Sequence, residues 1–563
     1  MGSLTKLLDS FGSDSLVRGK HFEKLTKWFL ENDSQYRGEL KKIWLWDEWP
    51  ERWGRDCGID LIAETHDGNI WAIQAKCYDP ANSITKKDVN SFLSESNRPQ
   101  IHFRLLIATT NLIGNNAQKV IDGQEKDAGR ILLSRLERSE VEWPESIEKP
   151  YPCRIERKAP LPHQEEAIRS VCEGFQNYER GQLLMACGTG KTMTALWLKE
   201  RLQARKVLVL LPSLSLLAQT LREWTAHTNE IFRFLPVCSD ETVRGKDEFT
   251  AHTSELGLPV TTRPNEIAEF LQKPGHRIVF STYQSSPAIA ESFQNNNLPP
   301  FDLVIADEAH RCAGPTAGVF ATILDPGAIK AQKRLFMTAT PRVYTDRAIK
   351  AAKEKEYEIA SMDDEERFGP VFHQLKFSDA IEKDLLSDYQ VVIIGVDDPT
   401  YRKFAEEGTF VTHDGEEITD ARTLASHIAL AKAMKEYDLK RIISFHGRVK
   451  KANEFQARHK EFIDWLPQGY CAEGKLWNSY VSGEMSSGKR DTLLSRFKKL
   501  EENERGLLAN ARCLSEGVDV PTLDGVAFID PKRSQVDIVQ AVGRAIRKAQ
   551  DKKIGTVILP VFI

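Results

Sequence analysis

Short apolar runs alternate with longer stretches of helical periodicity over the last two thirds of this 563-residue chain. The runs are too short for helices and are typical of buried strands. Strands separated by helices form parallel sheets covered on both faces. The pattern therefore predicts two doubly wound α/β domains, at 161–350 and 391–563, joined by a charged connecting segment at 351–390. The predicted strands are 207–211, 277–281, 303–306, 334–337, 391–396, 441–444, 506–509, 525–529 and 555–560.

Residues 1–145 follow a different pattern, of helix, hairpin, helix and strand. Helical periodicity covers residues 20–30, and two β-rich runs flank His-Asp-Gly-Asn at 66–69, which is a strong hairpin signal. A proline-interrupted stretch at 146–160 is typical of a linker. The sequence thus predicts a separate N-terminal domain that precedes the two α/β domains.

Composition narrows the class of protein without naming a function. Hydrophobic residues make up 41% and charged residues 28%, as in ordinary globular proteins. No apolar run reaches the roughly 20 residues of a membrane span, and the N-terminus lacks a secretory pattern. The nine cysteines form no CxxC pair, which argues against a disulfide framework or a zinc site. We therefore expect a cytoplasmic protein that does not interact with membranes. Because the net charge is −4, any DNA-binding surface must be a local basic stripe.

The sequence Ala-Cys-Gly-Thr-Gly-Lys-Thr at 186–192 lies between a predicted strand and a predicted helix. A glycine-rich turn there lets backbone N–H groups point at phosphate oxygens, and the helix N-terminus adds positive potential. Lys191 should reach the β- and γ-phosphates and Thr192 should bind Mg²⁺, although Met185 replaces the first glycine of the full Walker pattern. The predicted nucleotide-binding residues of this loop are Gly188, Thr189, Gly190, Lys191 and Thr192.

A second nucleotide signal is Asp-Glu-Ala-His at 307–310, directly after the predicted strand 303–306. In this context Asp307 would hold Mg²⁺ through its water shell, and Glu308 would polarise the attacking water. The alternative is an exposed helix start, where acidic residues suit the helix dipole. Because the phosphate loop precedes the acidic pair in the expected order, we predict an ATP-hydrolysing site.

From about residue 160 onward the chain resembles superfamily-two helicases and DNA translocases. The resemblance implies two RecA-like domains with ATP bound between them. It also implies that Gln164 reads adenine and that Gly517, Asp519 and Gln540 contribute to nucleotide binding. The motifs that carry the resemblance lie at 161–164, 212–214, 281–284, 338–340, 444–447, 516–521 and 540–547.

Arg544 and Arg547 in the last motif are three residues apart, so they share one face of a helix. Placed across a cleft, both guanidinium groups could reach the γ-phosphate and stabilise the charge that develops during hydrolysis. The alternative is a solvated basic helix, since Lys548, Lys552 and Lys553 follow closely. We interpret the two arginines as arginine fingers.

The hairpin in the N-terminal domain has two possible registers. A type I turn over residues 65–68 with Gly68 left-handed gives a three-residue loop and pairs Thr65 with Asn69. In that register Asp60 lies opposite Gln74, and Lys76 is on the same face. A two-residue turn would instead pair Asp60 with Ala75 and point the Asp60 side chain away from both Gln74 and Lys76. We predict the three-residue loop.

With that register, Asp60, Gln74 and Lys76 resemble the catalytic core of PD-(D/E)xK nucleases, in particular the Mrr-like branch. The resemblance implies that Asp60 and Gln74 bind Mg²⁺, that Lys76 activates water and stabilises the phosphorane-like charge, and that Glu23 on the preceding helix supports the metal. Two features depart from the family pattern: Gly-Ile at 58–59 precedes the aspartate, and Gln74 replaces a carboxylate. The metal site should therefore be weak until DNA phosphate completes it. The alternative is a hairpin with incidental exposed charges.

The tryptophan-rich segment 44–50 could stack on bases. We interpret it instead as a packed edge of the nuclease core.

A nuclease followed directly by such a motor resembles the N-terminal part of type ISP restriction-modification enzymes. That resemblance implies a duplex-DNA translocase coupled to an Mg²⁺-dependent endonuclease that restricts foreign DNA. No methyltransferase motif occurs, and the sequence stops on the apolar run 556–563, so we expect the methyltransferase and target-recognition regions to lie outside this chain. The alternatives are a standalone nuclease-helicase of phage defence or repair that unwinds DNA, and a motor with a non-catalytic DNA-binding N-terminal domain.

Overall fold

The computed structural model describes most of the chain, with side chains. The described residues are 3–54, 58–148, 150–151, 156–239, 252–355, 358–396, 421–465, 471–483, 485, 487–511, 523–530, 535–548 and 554–562. The helices are α1 Leu4–Asp9, α2 Ser15–Asn32, α3 Ser34–Glu39, α4 Lys86–Glu95, α5 Asn115–Asp122, α6 Leu133–Glu137, α7 Pro162–Asn177, α8 Lys191–Arg201, α9 Leu214–His227, α10 Pro264–Gln272, α11 Ser286–Asn295, α12 Asp346–Lys353, α13 Glu365–Phe368, α14 Phe377–Glu382, α15 Ala421–Glu436, α16 Val449–Trp465, α17 Ser487–Lys498 and α18 Gln535–Ala545. The strands are β1 Leu40–Leu45, β2 Leu61–Thr65, β3 Ile70–Lys76, β4 Ile101–Ala108, β5 Ala128–Ile131, β6 Arg180–Met185, β7 Lys206–Leu211, β8 Arg233–Val237, β9 Arg277–Thr282, β10 Phe301–Asp307, β11 Gly314–Pro315, β12 Ala331–Thr338, β13 Ile359–Ala360, β14 Val371–Leu375, β15 Asp388–Val396, β16 Arg441–His446, β17 Lys475–Ser482, β18 Glu504–Ala511, β19 Gly525–Phe528 and β20 Ile554–Phe562.

The described residues form two compact units. The first unit contains the residues up to Leu183 and those from Thr192 to His373, and the second contains Leu184–Lys191 and the residues from Gln374 onward. None of the described helices has the length and apolar character that crossing a bilayer requires.

The N-terminal part of the first unit is built on a five-stranded sheet with the order β1-β2-β3-β4-β5. The first three strands are antiparallel, and β3, β4 and β5 are parallel. Alternate side chains along the strands point to one face of the sheet and pack in a core that includes Ile62, Phe92 and Leu106. The predicted order of helix, hairpin, helix and strand is confirmed, with β1 and β5 added at the two edges of the sheet.

The second sheet of the first unit has seven strands in the order β14-β6-β12-β10-β7-β9-β8. Its central strands β12, β10, β7 and β9 pair in parallel. Strands β7, β9 and β10 are almost entirely buried and largely apolar, as expected where helices cover both faces. The predicted alternation of strands and helices in this region is confirmed.

Strand β14 of this sheet comes from the segment 351–390, which we expected only to connect the two α/β domains. The ring of Phe372 in β14 lies directly against Gly181 of β6 and Gly174 of α7, where any side chain would collide with it. The residues of β14 are mostly exposed or partly exposed, so the strand lacks the buried apolar signature of its neighbours. That composition explains why the sequence pattern did not predict the strand.

The two sheets of the first unit are joined by a buried polar interface. Tyr36 of α3 is fully buried, and its hydroxyl group donates a hydrogen bond of 3.1 Å to the carbonyl oxygen of Gly257. Arg130 of β5 forms a 2.9 Å ion pair with Glu255. Gly257 has φ +65°, and a Cβ atom there would lie 2.6 Å from the Tyr36 hydroxyl oxygen. The N-terminal domain is therefore docked on the seven-stranded sheet domain by specific contacts.

The second unit contains a six-stranded, fully parallel sheet in the order β15-β20-β19-β16-β18-β17. Helix α15 packs on β15 and β20, and α16 packs on β17 and β18. The five predicted strands of this region are confirmed. Strand β17 was not predicted, since most of its side chains are only partly buried and its sequence is polar.

Candidate nuclease and ATPase sites

The hairpin between β2 and β3 has the three-residue loop that the sequence predicts. The N–H of Gly68 donates to the carbonyl oxygen of Thr65 at 3.1 Å, and the N–H of Thr65 donates to that of Asn69 at 2.8 Å. Gly68 has φ +83°, the left-handed conformation that this turn requires of its last residue. Leu61 pairs with Ile73, which places the preceding Asp60 opposite Gln74.

Asp60 lies at the start of β2, and its Oδ2 accepts a 2.8 Å hydrogen bond from the backbone N–H of Ala75. The carboxyl group is poorly solvated, and this burial raises the pKa of Asp60 to about 7. The negative charge of Glu23 raises the pKa further, whereas the Ala75 N–H and the positive charges of Lys76 and Lys20 lower it. The charged form of a carboxylate that is so poorly solvated is stabilised by any cation that binds beside it.

Gln74 is the neighbour of Asp60 on β3 and is 1% exposed. Its Nε2 donates to the carbonyl oxygen of Gly58 at 3.0 Å. Its Oε1 is buried and has no hydrogen-bond partner among the residues that the structure describes. A buried amide oxygen without a donor beside a carboxylate suits a hard cation such as Mg²⁺.

Glu23 of α2 faces the same site, with its side chain 15% exposed. Lys20, one turn earlier, forms a 3.0 Å ion pair with Glu23. We did not single out Lys20 from the sequence, although its spacing of three residues from Glu23 on a helix was the available signal. No cluster of three or more His, Cys, Asp or Glu side chains within the described ranges could hold a metal ion. The Asp60 and Glu23 carboxylates and the Gln74 amide oxygen are thus the candidate protein donors at this site.

The tryptophan-rich segment is packed into the nuclease core. Trp46 and Trp49 are 5% and 4% exposed, and their ring centroids lie 5.7 Å apart. The Nε1 of Trp53 donates to Glu95, and the Arg98 guanidinium lies over the Trp53 ring. The interpretation of this segment as a packed edge is confirmed.

The phosphate-binding loop joins β6 to α8 in the predicted strand–turn–helix order. Gly188 and Gly190 have φ of +87° and +86°, so the turn uses the conformational freedom of both glycines. Lys191 is the first residue of α8, and its Nζ donates to the carbonyl oxygen of Met185 at 3.3 Å. The Thr189 hydroxyl donates to the carbonyl oxygen of Ala186 at 2.8 Å. In the first unit, the backbone oxygen of Thr192 accepts from the Trp224 indole at 3.0 Å.

The acidic pair lies at the end of β10, where Asp307 is its last residue. Asp307 Oδ1 accepts from the Glu308 N–H at 2.9 Å, and the Asp307 carbonyl oxygen accepts from the Tyr283 hydroxyl at 2.7 Å. Glu308 has φ +48°, a left-handed conformation that is strained for a residue with a side chain. The acidic pair therefore lies at a strand end, as predicted, and does not begin an α-helix.

Thr338 links the acidic pair to the Thr-Ala-Thr motif. The Thr338 hydroxyl lies 3.0 Å from Nδ1 of His310 and 3.4 Å from Oε2 of Glu308. The same His310 nitrogen lies 3.4 Å from that Glu308 oxygen. All three residues are largely buried. The structure thus brings a carboxylate, an imidazole and a hydroxyl group together, and the motif matches alone did not predict this contact.

The remaining residues that we predicted to bind nucleotide lie in separate parts of the chain. Gln164 begins α7, and its Oε1 accepts from the Leu161 N–H at 2.9 Å, so in this structure it caps its own helix. Gln540 and Arg544 lie on α18, with Gln540 buried, and Arg547 follows the helix. Gly517 and Asp519 lie outside the described residues.

Family models match three regions of the chain in the order expected. A restriction endonuclease family matches residues 31–151, the type III restriction enzyme res subunit family matches 157–343, and the helicase conserved C-terminal domain matches 427–549. The chain therefore carries a nuclease domain followed by two helicase domains of the RecA-like type.

Curated relatives and solved structures agree with this order. The chain is 28% identical over 406 residues to "Probable helicase A859L" of African swine fever virus (isolate Pig/Kenya/KEN-50/1950). The aligned region covers 71% of this chain and 41% of the relative. The DNA-bound type ISP restriction-modification enzyme LlaBIII superimposes on 100% of this chain with a TM-score of 0.86 and 32% identity. The DNA-bound nuclease-deletion mutant of LlaGI, also type ISP, covers 72% of this chain with a TM-score of 0.51 and 29% identity.

This chain accounts for 38% of the LlaBIII chain and 27% of the LlaGI chain, so both are much longer proteins. The similarity to LlaBIII extends over the nuclease sheet and both helicase sheets. The chain is thus a restriction nuclease domain fused to a helicase-like ATPase, with the architecture of the corresponding part of type ISP restriction-modification enzymes.

Proposed function

We propose that this chain is an ATP-driven duplex-DNA translocase coupled to an Mg²⁺-dependent DNA endonuclease that restricts foreign DNA in the cytoplasm. One observation carries the nuclease half of the proposal. Asp60 lies opposite Gln74, whose buried Oε1 has no donor among the described residues. Two oxygens held in this way on adjacent strands fit a divalent cation better than they fit a purely structural hairpin.

In this proposal Asp60 and the Gln74 amide oxygen hold Mg²⁺, with Glu23 supporting them from α2. When bound, the ion lowers the pKa of a coordinated water and neutralises charge on the scissile phosphate. Lys76, whose charge acts on Asp60, orients the attacking water and stabilises the extra charge on phosphorus. The site has one carboxylate fewer than the family pattern, so we infer that a DNA phosphate oxygen completes the ion's coordination.

For the motor, we propose that Lys191 and Thr192 bind the phosphates and Mg²⁺ of ATP, that Asp307 holds the ion and that Glu308 polarises the attacking water. Arg544 and Arg547 act as arginine fingers, and hydrolysis drives a cycle of closure and opening that moves DNA. The similarity to type ISP enzymes solved with DNA or a DNA mimic supports DNA as the ligand of the motor, and we infer that its track is duplex. Methylation and target recognition would belong to regions outside this chain.

The match to a viral "Probable helicase" favours one alternative, a motor that unwinds DNA. Displacement of a triplex-forming strand from intact duplex, measured beside displacement of one strand of a plain duplex, separates the two functions. We expect triplex displacement that requires ATP and no strand separation. Unwinding of the plain duplex would refute the translocase proposal, and Lys191→Ala, which should lose ATPase activity, is the control for ATP dependence.

Nicking of supercoiled plasmid tests the nuclease half. We expect Asp60→Ala to abolish nicking while DNA-stimulated ATPase activity stays at the wild-type level. The matched control is Asp47→Ala, which removes a carboxylate that is 70% exposed. Unchanged nicking by Asp60→Ala would support the alternative of a non-catalytic DNA-binding N-terminal domain.

A further inference from the structure

Helix α18, which carries Arg544, lies against the phosphate-binding loop at Gly543. A Cβ atom built on Gly543 would lie 2.9 Å from the Cβ atom of Cys187 and 3.6 Å from the ring of Phe377. Real Cβ atoms essentially never come within 3.0 Å of another carbon atom in this way. The helix and the loop therefore meet at this distance only because residue 543 has no side chain. Both segments belong to the second unit.

A second contact lies next to the first. Gly188 follows Cys187 in the loop, and a Cβ atom there would lie 3.5 Å from Cγ and 3.8 Å from Nε of Arg547. It would also lie 3.2 Å from Cδ2 of Leu386. The Arg547 side chain thus lies over the phosphate loop at Gly188. Arg547 comes four residues after Gly543, which contacts the preceding loop residue, Cys187. Two consecutive loop residues face two positions that lie about one helical turn apart.

Glycine is an unfavourable residue inside a helix, because it exposes backbone and loses the most conformational freedom on folding. Alanine at position 543 would suit α18 better if nothing faced it. The steric contact with Cys187 gives a physical reason for glycine at this position. The position also precedes Arg544 directly, so any outward shift of the helix at residue 543 moves the guanidinium groups of Arg544 and Arg547 as well.

We propose that Gly543 and Cys187 form a size-matched pair that sets how far Arg544 and Arg547 reach over the phosphate loop. The two residues are positioning residues and do not themselves touch the phosphates. The inference rests on the proposed ATPase function. A displacement of about 1 Å in such a site can reduce the rate by roughly 100-fold, because charge stabilisation depends on precise placement. Nucleotide binding before hydrolysis depends mainly on the loop itself and should change much less.

The test uses the full chain and four variants: Gly543→Ala, Cys187→Gly, the double variant, and Gly19→Ala as a matched control. Gly19 lies inside α2, where an added Cβ atom meets nothing within 4 Å. We expect Gly543→Ala to lower the kcat of DNA-stimulated ATP hydrolysis by about 10- to 100-fold, with KM within about 3-fold. Cys187→Gly loosens the contact without adding a clash, so it should lower kcat by less than Gly543→Ala does. The double variant should recover most of the lost kcat, because the loop then has room for the added methyl group.

A second measurement does not depend on hydrolysis. The rate at which a maleimide labels Cys187, resolved by peptide mass spectrometry, should rise several-fold in Gly543→Ala and stay unchanged in Gly19→Ala. If the wild-type chain lacked ATPase activity but Gly543→Ala still changed the labelling, the proposed function would fail and the contact would stand. If Gly543→Ala does not fold, Cys187→Val tests the pair from the loop side and should lower kcat in the same way. A kcat of Gly543→Ala within 2-fold of wild type, or a double variant as slow as the single one, would overturn the proposal.

Discussion

The two acidic sites of the chain differ in how completely the protein satisfies them. The motor's Asp307 and Glu308 are held by bonds to backbone and side chains, and Glu308 is in contact with Thr338 and His310. The nuclease's Asp60 has one backbone N–H, a nearby carboxylate and an amide oxygen without a donor among the described residues. The first site is organised before any ligand arrives. In the proposed function the second depends on a cation that DNA phosphate helps to hold, which would keep the nuclease inactive until its substrate is present.

The largest expected effect concerns the preorganised site. Glu308→Gln keeps the shape of the side chain but removes the base, so ATP hydrolysis should fall by about 10²–10⁴-fold. DNA-stimulated phosphate release measures the change, and the exposed Glu291→Gln on α11 is the control. Retention of more than about a tenth of the wild-type rate would show that Glu308 is not the residue that polarises water.

Thr338 tests whether the contacts around Glu308 contribute to its placement. Thr338→Val has nearly the same volume but lacks the hydroxyl group that lies between Glu308 and His310. We expect kcat for ATP to fall about 10-fold with KM nearly unchanged, since binding does not use this hydroxyl group. The control Thr322→Val removes an exposed hydroxyl that bonds only locally to Val319. Equal kcat values for the two variants would remove the basis for calling the motor site preorganised.

Gln74→Glu adds to the nuclease site the carboxylate that the family pattern contains. We expect the Mg²⁺ concentration for half-maximal nicking to fall by about 10-fold, because an added negative ligand tightens binding of a hard cation. Calorimetric titration of Mg²⁺ without DNA should show the same gain. The isosteric Gln118→Glu on α5, outside the site, is the control. Loss of metal binding in Gln74→Glu would contradict the assignment of Gln74 as a ligand.

The last expected effect is on stability and not on activity. Because the pKa of Asp60 is raised to about 7, the folded protein holds this proton more tightly than the unfolded chain does. The resulting stabilisation is complete below about pH 4, the ordinary range for Asp, and is lost as pH rises through 7. Because Asp60→Asn does not titrate, its free energy of unfolding in EDTA should increase relative to that of wild type between pH 4 and pH 7. The increase should be on the order of 2–4 kcal/mol and should level off above pH 7.

Urea unfolding at pH 5 and pH 8, followed by tryptophan fluorescence of the nuclease core, measures this difference. Saturating Mg²⁺ should stabilise the wild type at pH 8 and leave Asp60→Asn unchanged. A stability difference that is the same at both pH values would mean that Asp60 does not carry the raised pKa.

The sequence was sufficient for features that depend on local chemistry. A three-residue loop that ends in a left-handed Gly68 was the predicted choice between two registers, and it places Asp60 opposite Gln74. Buried parallel strands were also predictable, since their apolar runs are continuous. Strands β14 and β17 were not, because their side chains are largely exposed or partly exposed and their pairing depends on neighbours distant in sequence.

The same distinction applies to the sites. The residues that we propose as ligand-binding lie in short motifs, so the sequence was sufficient to propose them. The contacts of Tyr283 with Asp307, of Thr338 with Glu308 and of Gly543 with Cys187 join segments that are 24 to 356 residues apart. No local pattern encodes such contacts, so only the fold reveals them.

If the proposed nuclease function holds, the interface of Tyr36 and Arg130 with residues 255–257 has a consequence for where DNA is cut. A nuclease on a flexible tether would sample a volume set by its linker, and its cuts would scatter around the motor. Here the nuclease sheet is fastened to the first helicase sheet by a buried hydroxyl contact and a partly buried ion pair. In the proposed function, the cutting position would therefore be a fixed offset along the DNA, measured in base pairs from the motor domain that carries the nuclease.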